Sequence, residues 1–112
     1  MSDFISDADM QTALEWLAQD PHPLATTKGD ITRAENIAER TWAELYHTAK
    51  GDTVKDRESA VKMSPVYAAA LEHLARSHMA YENAKAKNNW AKTVCDCWQT
   101  QSANARAAER IR

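Results

Sequence analysis

From Val66 to Arg112 the chain runs 47 residues without a glycine or a proline, and it does so directly after Ser64-Pro65. Serine at an N-cap followed by proline at the first helical position starts a helix, because the N–H that proline lacks would have had no intrahelical partner there. Within the stretch, Val66, Ala70, Leu74, Ser77, Tyr81, Ala84, Asn88, Ala91, Cys95, Trp98, Ser102 and Ala105 fall at steps of 3 and 4. That is the seam of a helix that packs along most of its length, mostly through small residues. The spacing predicts one helix over 65–110, roughly 65 Å long at 1.5 Å per residue.

The rest of the chain must supply what this helix packs on. Ser6 with Asp9 makes a capping-box pattern, and Met10, Ala13, Leu14, Trp16 and Leu17 form an apolar stripe behind it, so a helix is expected over 6–19. Asp20-Pro21-His22-Pro23 ends it, and Leu24 to Gly29 reads as an extended surface connection. Asp30 or Thr32 then caps a helix over 31–50, with Gly51 as its C-cap glycine and Ile31, Ala34, Ala38, Thr41, Leu45 and Thr48 as its seam. The charged segment around Val54 and Val61 is either a short helix over 54–62 or an ordered crossover. The expected fold is all-α: one domain over 1–112, with a short N-terminal helix and an antiparallel, coiled-coil-like hairpin whose second arm is the long C-terminal helix. A 20-residue arm covers only about 30 Å of that helix. Trp90, Val94, Cys97 and Trp98 must therefore be covered by the first helix, by a break at Asn88-Asn89, or by another molecule, a second copy included.

Composition narrows the function classes. Alanine supplies 21 of the 112 residues, so the apolar fraction of 44% consists largely of methyl groups and the interior is thin. Two glycines and three prolines do not provide the turns of a sandwich or barrel. No apolar run approaches a membrane span, and the acidic N-terminus lacks the basic and apolar regions of a secretory signal; a cytoplasmic protein is expected. Cys95 and Cys97, one residue apart, suit neither an ordinary disulfide nor a metal site. Residues 1–63 carry seven Lys/Arg against twelve Asp/Glu, net −5, and residues 64–112 carry seven against four, net +3. Such asymmetry draws two arms of a hairpin together or steers a partner.

Glu44 and His47 make one Glu-x-x-His step, but bundle metal sites need two such steps and two further glutamates. His73 and His78 are about 140° apart on a helix, and Cys95 and Cys97 about 200°, so neither pair chelates. No phosphate loop or nucleophile elbow occurs. Neither metal nor cofactor is expected, and the chain reads as a non-enzyme. Two candidate surfaces remain. One is acidic, with Asp7, Asp9, Glu35 and Glu39 as mimics of nucleic-acid phosphates. The other gathers Lys85, Lys92, Arg106 and Arg110 with Trp90, Trp98 and Gln101, a mixture suited to a protein interface or to single-stranded nucleic acid. A solvated helix face with packed tryptophans accounts for the same residues.

Ser64-Pro65-Val-Tyr67, Leu71, Leu74, Tyr81, Trp98-Gln-Thr-Gln101 and Asn104-x-Arg106-Ala-x-Glu109-Arg110 together resemble a group of small, wholly helical bacteriophage and prophage proteins. The resemblance covers about residues 57–112 and departs at Gln99, where arginine usually follows the tryptophan. Genes of that group lie beside phage recombination and single-strand-binding genes. The resemblance implies a phage origin, the cytoplasm of an infected cell, and no catalytic residue. The leading expectation is a non-enzymatic phage protein that binds and modulates or inhibits a nucleic-acid-processing complex, as an anti-CRISPR protein or nuclease inhibitor does. The alternatives are a recombination or replication accessory that binds single-stranded DNA or a recombinase, and a self-associating structural hairpin.

Overall fold

The computed structural model describes residues 4–111. Among them the chain is all-helical, with no strand: α1 (Asp7–Leu17), α2 (Pro23–Thr48), α3 (Val54–Lys62) and α4 (Pro65–Ile111). Two compact units are formed, one from the segment up to Leu24 with α4 from Asn83 onward, the other from Ala25–Glu82. α4 starts where the sequence places it, with the Val66 N–H donating to the Ser64 hydroxyl at 3.2 Å. It continues unbroken through Asn88-Asn89. Its seam is buried or half-buried from Ala70 to Ser102; only the end positions Val66 and Ala105 are exposed.

In the first unit, α1 is held by the capping box that Ser6 and Asp9 announce. The Asp9 N–H donates to the Ser6 hydroxyl at 3.1 Å, and the Ser6 N–H donates to the Asp9 carboxylate at 3.4 Å. α1 runs antiparallel to α4, with Ile5 beside Gln101 at one end and Trp16 beside Asn88 at the other. The buried cluster is Ala13, Trp16, Ala84, Ala91 and Val94, with Ile5, Leu17, Leu24 and Cys95 packed around it. Alanine at the crossing lets the backbones approach, while Trp16 supplies most of the apolar area; burying it stabilises the unit by about 2–3 kcal/mol.

α2 begins eight residues before the expected start at 31, so 24–29 is helix and not an extended connection. Proline at Pro23 opens the helix, which is the role a proline plays at the first helical position. The cap is an unexpected one: the Leu24 N–H donates to Nδ1 of His22 at 3.1 Å, so an imidazole does what Ser or Asp usually does. Gly29 lies inside the helix. Of the two alternatives for 54–62, α3 is the short helix, capped by Thr53, whose hydroxyl accepts from the Asp56 N–H at 3.1 Å.

Gly51 is not a left-handed C-cap, since no glycine among the described residues has positive φ. It is needed for close approach instead. A β-carbon there would lie 2.8 Å from the Asp56 β-carbon. α2 and α4 pack antiparallel in this second unit, Trp42 meeting Tyr67 while Arg33 lies beside Ser77. Ile31, Ala34, Ala38, Val61, Ala70 and Ser77 are buried. Six of the ten buried hydrophobic residues in the two units are alanine, so the interior is as thin as composition implies.

Candidate functional site

The two flanks of the α2–α4 pair differ in chemistry. On one, Ala38 floors a groove walled by Trp42, Tyr67, Leu71 and Leu74, with Glu35 and Glu39 along its rim. Trp42 and Tyr67 meet edge to face, ring centroids 5.4 Å apart at 66°. Both rings are half-buried. Leu71 remains 43% exposed, an apolar side chain beside two carboxylates. On the other flank Asp30, Arg33, Ile37, His73 and Arg76 line a mixed-charge groove, where Arg33 forms an ion pair with Asp30. Glu35 and Glu39 are candidates from the sequence alone, whereas Tyr67, Leu71 and Leu74 emerge as their neighbours only in the fold. The available signal was Trp42 and Leu71 standing one position off their seams, each too large and apolar for a solvated flank.

Asp7 and Asp9, expected on the same acidic face, belong to the other unit. Both sit in the first turn of α1, where carboxylates favour the positive end of the helix dipole, and Asp9 is engaged in the cap. The four acids thus divide into two pairs in different units, and a single acidic face is not what the fold presents within either.

The basic and aromatic candidates also separate. Lys85, Lys92, Gln99 and Arg106 recur every seven residues on α4, and all are exposed, as is Arg110. A heptad step drifts only about 20° on a straight helix, so they form one stripe along the rod. Trp98, one residue before Gln99, is turned about 100° from that stripe and lies half-buried on the seam. Trp90, two residues before Lys92, faces nearly the opposite way and is 41% exposed. Cations and tryptophans therefore do not converge on one strand-binding surface.

Gln101, expected at an interface, is occupied within the chain. Its carboxamide oxygen accepts from the Ile5 N–H at 2.9 Å, and its NH2 donates to the Ile5 carbonyl at 3.0 Å. This pair of hydrogen bonds to the backbone of one residue fixes the entry to α1. Trp16 is satisfied in the same manner, its indole N–H donating to the Asn88 carboxamide at 3.3 Å, with the Lys87 ammonium 4.8 Å from its ring centroid and His22 edge-on at 5.0 Å.

Glu44, His47, His73 and His78 are all exposed, and no group of three or more potential metal ligands occurs among the described residues. Cys95 and Cys97 are free thiols, the first half-buried and the second exposed. No helix among the described residues is long and apolar enough to cross a membrane. No protein-family model, no curated protein and no solved structure matches the chain.

Proposed function

We propose that this protein is a non-enzymatic interaction module that binds a protein component of a nucleic-acid-processing complex and modulates or blocks it. The carrying observation is the acid-rimmed aromatic groove between α2 and α4. Glu35 and Glu39, one turn apart, offer carboxylates to a cationic side chain, and the exposed parts of Trp42 and Tyr67 offer ring surface on which a guanidinium stacks. Leu71 and Leu74 take the apolar part of the same segment. A basic, amphipathic segment is what this chemistry selects, and proteins that handle nucleic acid present such segments. The resemblance of residues 57–112 to phage proteins encoded beside recombination genes supports an infected cell as the setting.

Affinity capture from infected and uninfected host lysate tests this reading, with the wild-type chain beside a Glu35→Lys/Glu39→Lys variant. The expected result is a nuclease, recombinase or surveillance complex retained by the wild type and reduced at least tenfold with the variant. Recovery of no such component, or equal recovery by both chains, would overturn it.

One observation favours the alternative, a recombination or replication accessory that touches DNA: the heptad stripe of Lys85, Lys92 and Arg106, with Arg110 beside it. Four phosphate contacts to single-stranded DNA would make log K fall with log salt at a slope of about −3. A gel shift at low salt with that slope, abolished by Arg106→Glu/Arg110→Glu, is its signature, and the absence of any shift removes it.

A further inference from the structure

α4 bears a second row of positions at alternating steps of 4 and 3, from Ala86 to Ile111, every one exposed and none charged. The row is turned away from the seam that α1 covers and from the cationic stripe. Trp90 is 41% and Ile111 87% exposed on it. At its middle, Phe4, itself 69% exposed, walls a shallow groove with Asp96, Cys97, Thr100, Gln101 and Asn104. In a chain with 27% charged residues, a helix face of seven turns without one charge has the composition of an interface core.

We infer that this row is the interface of a homodimer, formed by α4 of two copies packing antiparallel about a two-fold axis between Trp98 and Gln99. In that register each large residue meets a small one. Trp90 lies opposite Ala107 of the second copy, and Ile111 opposite its Ala86. Cys97 faces Thr100, and Thr93 faces Asn104. Large against small is the arrangement that lets knobs fill holes without voids. The flanking charges fit as well, since Asp96 falls beside Ala103 and Arg110 beside Asn89, so no like charges are brought together. A neutral row offers nothing to select a charged partner, whereas a self-complementary row satisfies the symmetry of an isologous dimer. From Ala86 to Ile111 the row runs about 38 Å at 1.5 Å per residue, a contact line of seven turns on each copy.

The test is sedimentation equilibrium of the full chain across a hundredfold micromolar range, with helicity followed by circular dichroism. The wild type is expected to be a dimer that dissociates on dilution. Thr100→Arg, a charge placed at the centre of the row, is expected to be monomeric with unchanged helicity, while Gln99→Arg, one residue off the row, remains dimeric. Register is read separately in a Cys95→Ser/Cys97→Ser background by mixing Thr93→Cys with Asn104→Cys chains under mild oxidation. The antiparallel register requires the mixed disulfide in preference to either self-linked product. A monomeric wild type, a dimeric Thr100→Arg chain or preferential self-linking would each overturn the inference.

Discussion

The two units are built on the same helix and hold it by different means. In the unit of α1 and the later part of α4, one large residue is buried at the crossing, and polar side chains lock the ends: Trp16 bonds Asn88, and Gln101 bonds both the backbone N–H and the carbonyl of Ile5. In the Ala25–Glu82 unit the contact is a row of alanines, Ile31 and Val61, with the aromatics pushed to a flank where they meet carboxylates. A short helix gains little from propensity and needs a few specific anchors, whereas a long helix collects stability from many small contacts. The surfaces follow from this difference. The anchored unit buries Trp16 and leaves Trp90 and Phe4 on an uncharged face outside, while the alanine-seamed unit displaces its aromatic area into an open groove.

The largest effect should come from removing the anchor. Trp16→Ala deletes the main apolar contact of its unit and strands the Asn88 carboxamide, at a cost of about 3–5 kcal/mol. Amide hydrogen exchange should show protection lost in α1 and in α4 beyond Asn83, with α2 retaining it; simultaneous loss in both units would break the distinction between them. Gln101→Ala removes two hydrogen bonds at the edge of the same unit, for about 1–2 kcal/mol in chemical denaturation. An effect indistinguishable from zero would mean that water replaces the amide and that the clamp is ornamental. The smallest changes concern the glycines of the other unit, and they should differ in sign. Gly51→Ala drives a β-carbon into Asp56 and should destabilise by about 1 kcal/mol. Gly29→Ala meets only the Arg33 guanidinium, at 3.5 Å, and should raise stability by about 0.5–1 kcal/mol through helix propensity and a less free unfolded chain.

Local signals were legible wherever the chemistry that uses them is local. The Ser6–Asp9 box, the Ser64-Pro65 start and the seam of α4 each involve residues within one or two turns. The start of α2 is not legible, because Pro23 so soon after Pro21 looks like part of the stop after α1, and because His22 carries no usual capping oxygen; its imidazole serves only because Leu24 follows at the right distance. Gly51 misleads because a glycine after a helix commonly adopts a left-handed conformation, while here the constraint is the space taken by Asp56. Among the candidate site residues, Glu35 and Glu39 belong to a groove, Asp9 and Gln101 belong to the scaffold, and Trp98 belongs to the seam. Charge and residue type alone do not distinguish a side chain offered to a partner from one already used within the chain.

What the sequence determined by itself was the long helix, its start, its continuity and the face that it buries, because those depend on backbone chemistry and a period of 3.6. It determined also that the interior would be thin, since an alanine side chain buries only a methyl group wherever it sits. Only the tertiary structure decided what covers the far half of that helix. Periodicity says that a face is buried but not against which segment, and the answer rests on contacts such as Trp16 to Asn88 and Ile5 to Gln101, separated by 72 and 96 residues. It decided equally which of the chain's aromatic and charged residues remain outside, because that follows from which positions those distant contacts have already filled.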